Sequence, residues 1–335
     1  MEALITIWIA AIGLSIGSFL NVVIARLPND ESVVRPRSKC PKCGHQLPWY
    51  ENIPVVSWLV LRGRCSGCKT PISPRYILVE LLTGTLFVAA TARFGFDWPL
   101  VSALTFFTFL IPLIFIDAEH WILPFELTLP AIAAGLLLAI PQGQAAFVTA
   151  LIGALAAFLV FRVMEILGWL VTGREALGAG DKYLMAMIGA QVGWRGLLGV
   201  ILFSSLQGSV VGLARMKLTG RAGPTIESAE PGAPAQEEEA PKREPFTPEF
   251  LKPGVPLWKR LLLVPYTIFL QDIPDSPPPD EATGELPDWV PQANNIPFGP
   301  WIGLAGIEVM MLGPWLIERL AHTPWRLMSE ILFGR

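Results

Sequence analysis

Repeated apolar runs, each long enough to cross a bilayer, constrain this chain more than any other feature. A crossing helix needs about 20 apolar residues. The sequence supplies such runs at 4–25, 76–94, 98–116, 126–140, 145–171, 196–216 and 298–317, and a shorter one at 182–194. Lipid cannot satisfy backbone N–H and C=O groups, so each run must close its own hydrogen bonds as a helix. The expected fold is an all-α polytopic membrane protein with about eight transmembrane helices and a small zinc-binding loop domain. Composition agrees: 16% of the 335 residues are charged and mean hydropathy is +0.50, whereas a soluble domain carries about 25% charged residues. The first run lacks a basic leader and reads as a retained helix rather than a signal peptide.

Charge sets the orientation. Between the first two runs, residues 26–75 carry Arg26, Arg35, Arg37, Lys39, Lys42, Arg62, Arg64, Lys69 and Arg75 against Asp30, Glu31 and Glu51. A basic excess in a loop this short marks the cytoplasmic side. The remaining runs then alternate, and Asp117 and Asp181 both arrive at the cytoplasmic face. That placement uses loop charge and length alone, so the agreement of the two acids is independent of it.

All four cysteines lie in this loop, as Cys40-Pro-Lys-Cys43-Gly44 and Cys65-Ser-Gly-Cys68. Two C-x-x-C turns can fold back on one tetrahedral Zn²⁺, with Gly44 and Gly67 easing the turns. A reducing cytoplasm disfavours disulfides. Four sulfur ligands leave no open position, so the metal is expected to be structural, and His45 is not needed as a ligand. Metal binding would supply the stability that a loop of this size lacks.

The two acids carry the chemistry. An acid at mid-bilayer depth costs about 2.5–3.5 kcal/mol or more, so each needs a reason to be kept. Asp117 ends an apolar run, and Gly178-Ala179-Gly180-Asp181 opens another. Two carboxyls within about 3 Å cannot both ionise easily; one keeps its proton while the other activates water. That arrangement hydrolyses a peptide without a covalent intermediate. Gly178 and Gly180, lacking side chains, would let an extended peptide approach closely. Glu119 and His120 are rivals, expected in a solvated loop, and Glu80 and Glu165 are expected to be paired or interfacial. Asn21, near the end of the first run, is expected to bond a neighbouring helix.

Residues 217–296 form an insert rich in Pro, Glu, Ala and Gly, with thirteen acidic and seven basic residues. Such a segment buries little apolar surface and is expected to be largely disordered. Its apolar stretch 257–270 is too short to span and reads as an interfacial or docked helix. The expected division is thus 1–25, 26–75, 76–216, 217–296 and 297–335, the last ending in an amphipathic tail over 318–335.

These motifs resemble those of the bacterial prepilin peptidases, the type IV leader peptidases of the membrane aspartic protease class. Gly17-Ser-Phe-Leu-Asn-Val-Val-Ile with Arg26-Leu-Pro28 is similar to the family's opening motif. The block from Cys40 to Gly84 is similar to its zinc-bearing region. Asp117 with Leu123-Pro124, Gly178-Ala-Gly-Asp181 and Pro297-Phe-Gly-Pro300 resemble the two aspartate motifs and the opening of the last span. The chain departs from the pattern at Phe125, at Tyr183 (where a lysine is usual, Lys182 being adjacent) and in the long insert.

The resemblance implies cleavage of the leader of type IV prepilins or pseudopilins at the cytoplasmic face of the inner membrane. It also implies N-methylation of the new terminus with S-adenosylmethionine, for which no binding residues are legible. A peptidase without methyltransferase activity, a non-catalytic scaffold of a pilus or secretion assembly, and an ion transporter are the alternatives. Membrane lipid is the expected surrounding and nucleic acid is not an expected partner; oligomeric state is not legible.

Overall fold

The computed structural model describes residues 2–172, 177–219, 255–269 and 297–313. The tail at 318–335 and most of the insert, including its expected disorder, lie outside the described residues. Helices within them are α1 (Glu2–Arg26), α2 (Val56–Val60), α3 (Arg75–Phe94), α4 (Trp98–His120), α5 (Phe125–Ala139), α6 (Gln144–Thr172), α7 (Asp181–Thr219), α8 (Leu257–Phe269) and α9 (Gly299–Gly313). There is no strand among the described residues, only two isolated bridges in the loop between α1 and α3. Among the described residues, six helices are long and apolar enough to cross a membrane.

The longest of the six, α7, is two helices in space. Its 39 residues would reach about 58 Å as one rod at 1.5 Å per residue, well beyond the roughly 30 Å of bilayer hydrocarbon. At Gly193 the backbone leaves helical geometry, with φ +71° and ψ 170°, a conformation that glycine adopts without a Cβ penalty. Before the break, Lys182 reaches Glu165 late in α6 and Gly193 reaches Thr149 early in it, so this half runs antiparallel to α6. After it, Gly196 meets Val309 late in α9 and Gly208 meets Trp301 early in α9, so the chain has turned back. With this reversal and α9, the expected eight apolar helices are present. The turn falls at Gly193 rather than at Trp194–Arg195, because only the glycine tolerates the required φ.

Missing side chains bring the helices together. A Cβ on Gly153 would lie 2.1 Å from the Gly189 carbonyl oxygen, and one on Gly189 would lie 2.3 Å from that of Gly153. The backbones of α6 and α7 therefore touch, the close approach that small residues allow between membrane helices. Likewise Gly13 and Gly17 of α1 abut Gly84 and Glu80 of α3. Ser15, in the same small-residue run, faces outward and bonds the Ala11 carbonyl of its own helix. At the centre, α4 buries Phe107, Leu110, Ile111, Leu113 and Ile116 completely. Leu198, Leu202, Leu206 and Leu213 of α7 point outward, as a lipid-facing surface requires.

Two polar contacts fix the end of the bundle that carries the loop. Asn21 donates to the Tyr76 carbonyl oxygen at 2.9 Å, the interhelical bond expected of a buried amide. Buried Glu80 accepts the Val55 N–H at 2.7 Å and so holds the loop on α3.

Candidate functional site

The loop folds as two nearly equivalent turns. In the first, Cys40 N–H donates to the His45 carbonyl and Gly44 N–H to the Cys40 carbonyl; in the second, Cys65 N–H donates to Thr70 and Lys69 N–H to Cys65. Left-handed backbone falls at Gly44 (φ +70°) in one and at Lys69 (φ +60°) in the other. Gly67 was expected to relax the second turn, but its φ is not positive. It matters as a close approach instead, because a Cβ there would lie 3.4 Å from His45 Cβ.

The four sulfurs meet within 4.8 Å of one another, with Cys40 and Cys68 at 3.8 Å and Cys43 and Cys65 at 3.9 Å. A tetrahedron of zinc–sulfur bonds of about 2.3 Å has edges of about 3.8 Å, so the donor set fits that ion. His45 is turned to Glu51 at 3.3 Å, where Ser66 also bonds at 2.9 Å, and stands outside the sulfur cluster. Hydrogen bonds with the Thr70 hydroxyl and then its N–H pull the Cys68 thiol down to about 6, whereas the Cys43 thiol, although it receives the His45 N–H, is pushed up to about 11 by the neighbouring Cys68 sulfur.

Asp117 lies one turn inside α4, not at its end. The expected boundary at Ile116 is corrected by a helix that continues to His120 and closes on Trp121 in left-handed conformation (φ +60°). The extra turn keeps Asp117 7% exposed while Glu119 and His120 reach the surface, where Glu119 pairs with Arg75. Asp117 Oδ2 is buried without a hydrogen-bond partner among the described residues. The main-chain N–H of Gly299, at the mouth of α9, points at the same carboxyl. A Cβ on Gly299 would sit 2.5 Å from Asp117 Oδ2, so only glycine fits against this acid.

Asp181 starts α7, its N–H bonded to the Gly178 carbonyl at 3.0 Å, and is 6% exposed. A carboxylate in the first turn is favoured by the helix dipole. Gly178 is exposed beside the Asp181 carboxyl, whereas Gly180 packs against Leu123, where a Cβ would come within 2.7 Å of Leu123 Cβ. Leu123 lies six residues after Asp117, so this contact brings the end of α4 and the start of α7 to one end of the bundle, the end that carries the cysteine loop. Glu80 and Glu165 are both buried and bonded, Glu80 to the loop and Glu165 to Arg162 and Lys182.

The sequence reading gave Gly299 no role beyond its place in a motif. Pro297-Phe-Gly-Pro300 was its signal, but the need for a bare α-carbon appears only once Asp117 faces it. Arg162 has no signal in the sequence, and Lys182 stands out there only as the neighbour of Tyr183, since neither lies in a motif that names a partner.

With this geometry in view, relatives of the chain are informative. Residues 11–94 match the family model described as Bacterial Peptidase A24 N-terminal domain, and residues 104–213 match that of the Type IV leader peptidase family. A prepilin leader peptidase/N-methyltransferase of Myxococcus xanthus (strain DK1622) is 57% identical over 315 residues, covering 93% of this chain and 92% of that one. The chain belongs to the type IV leader peptidase family. It is an enzyme of the membrane, and its match to the family spans both the cysteine loop and the two acids. Proteins of the same printed name from Aeromonas hydrophila and Neisseria gonorrhoeae are 43% and 38% identical, over 61% and 63% of this chain and 79% and 82% of theirs. No solved structure matches the chain.

Proposed function

We propose that this family member is a membrane-embedded aspartic endopeptidase that cuts the leader from type IV prepilins or pseudopilins and then methylates the new N-terminus. Asp117 and Asp181 are its acids, sharing one proton: the ionised member takes a proton from the attacking water, and the protonated member polarises the scissile carbonyl. The observation that carries this reading is the burial of both carboxyls at one end of the bundle, on the ends of α4 and α7 that Leu123 and Gly180 join. The basic loop at that end gives it a cytoplasmic orientation in the inner membrane, where a leader can be reached while the substrate's apolar helix stays in lipid. Gly178, exposed beside Asp181, is open to an extended peptide backbone. The metal at Cys40, Cys43, Cys65 and Cys68 is structural zinc, and the methyl donor is S-adenosylmethionine.

Co-expression with a candidate prepilin tests the reading. The native chain converts the precursor, and Asp181→Ala leaves it uncut; an uncut precursor with both proteins in the membrane overturns the substrate assignment. The mass of the mature N-terminus tests methylation, since the bifunctional reading predicts one added methyl group and a peptidase alone predicts none.

A further inference from the structure

A line of buried charge runs from the insert to the helix that carries Asp181. Arg162 of α6 is 4% exposed, Glu165 6% and Lys182 9%. Glu165 accepts from Arg162 Nη1 at 2.8 Å, and its two oxygens accept from Lys182 Nζ at 2.9 and 3.0 Å. Arg162 turns its other donors on α8: Nε donates to the Ile268 carbonyl at 3.0 Å and Nη2 to the Thr267 carbonyl at 3.2 Å. Both carbonyls belong to the last described turn of α8. Thr267 is itself fully buried.

Each link depends on the next. Arg162 lies buried with carbonyls of α8 and the Glu165 carboxylate among its acceptors, and Glu165 in turn anchors Lys182, the residue after Asp181. A planar guanidinium with a fixed fork of donors is suited to hold a carboxylate and two carbonyls at once. Stripping acceptors from a buried cation is costly. Undocking α8 would therefore push Arg162 toward water or leave it to compete with Lys182 for Glu165. Either change loosens the first turn of α7.

We propose that α8 is a docked clamp for the active site, and that Arg162 and Glu165 are positioning residues which pass its attachment to Lys182 and hence to Asp181. The insert between α7 and α9 is then a working part of the peptidase. The inference rests on the reading of Asp181 as a catalytic acid.

Precursor cleavage by the full-length protein in lipid nanodiscs tests it, with Arg162→Gln, replacement of residues 257–269 by a Gly/Ser linker of equal length, the two changes combined, and Asp181→Asn as reference. The clamp predicts a kcat loss of about tenfold for each single change, within the range of coupling through packed networks, and KM within about twofold, since uniform binding is untouched. The combined variant falls no further than either alone. The melting temperature in detergent stays near the native value and reports intact folding of the bundle; should the linker variant melt early, the kcat of Arg162→Gln decides. Native kcat in Arg162→Gln, or losses that multiply in the combined variant, overturns the clamp while leaving the acids in place. Activity surviving in Asp181→Asn would instead overturn the catalytic reading.

Discussion

Between α1 and α3 the short helical turns bury no residue, and Cys40, Gly63 and Cys65 are the buried residues of the whole loop. Between α6 and α7 the reverse holds: Gly153 and Gly189 place backbone on backbone, and fully buried Met187 and Ile188 lie beside the crossing. The loop thus offers four clustered metal ligands and hydrogen bonds in place of a core, and the bundle is held by shape. Conditions that strip a metal should dismantle one and spare the other, and a single methyl group in the wrong place should do the opposite.

The largest separation is expected from metal removal. Structural zinc contributes about 10–16 kcal/mol of apparent binding free energy to small zinc-dependent folds, far more than the other contacts of this loop. A chelator, or Cys65→Ser, should expose residues 27–74 to limited proteolysis while helicity by circular dichroism changes little. A loop that stays protected without metal would contradict the assignment. Acid should act in the same direction, because the ligands bind as thiolates and protons compete with the metal. Zinc should therefore be retained at neutral pH and released progressively on acidification.

Next in size is Gly153→Leu. Its first carbon would overlap the Gly189 carbonyl, and the helices cannot separate without opening the crossing. Overpacking costs typically 1–3 kcal/mol and occasionally more; with two backbones in contact, about 3 kcal/mol or more is expected. A lowered melting temperature in detergent with full zinc content would meet the expectation, and an unchanged melt would refute the packing account. The smallest effect belongs to Lys69→Gly. A left-handed residue with a Cβ costs roughly 1–2 kcal/mol, part of which glycine's own chain entropy takes back. A gain of about 0.5 kcal/mol should appear as slightly slower proteolysis of the loop, and any loss of protection would count against the equivalence of the two turns.

Much of the frame could be read from the chain because lipid admits so few solutions. Each apolar run became a helix, the cysteine spacing became one cluster, and Asn21 found the neighbouring carbonyl its burial required. What escaped was set by contacts between distant residues. Arg162, Lys182 and Thr267 stand in α6, α7 and α8, and nothing in their local sequence names the others. Gly299 looked like punctuation until Asp117 came to face it. Lys69 gave no signal because left-handed backbone is announced by glycine, and the second turn does without one. The end of α4 slipped by a turn because polarity returns at Asp117, whereas the helix closes only where Trp121 turns left-handed. The acids' common face was expected from the loop charge; the contact of Leu123 with Gly180 that joins their helix ends was not.

That shared location is the central claim, and single-turnover cleavage of a precursor tests it most directly. The comparison is Asp117→Asn, Asp181→Asn and the double variant, each with native zinc content. If the two carboxyls hold one proton and one water between them, either change alone removes as much rate as both together, since groups that act as a unit are far from additive. A single variant that still cuts well above the double variant would contradict the account.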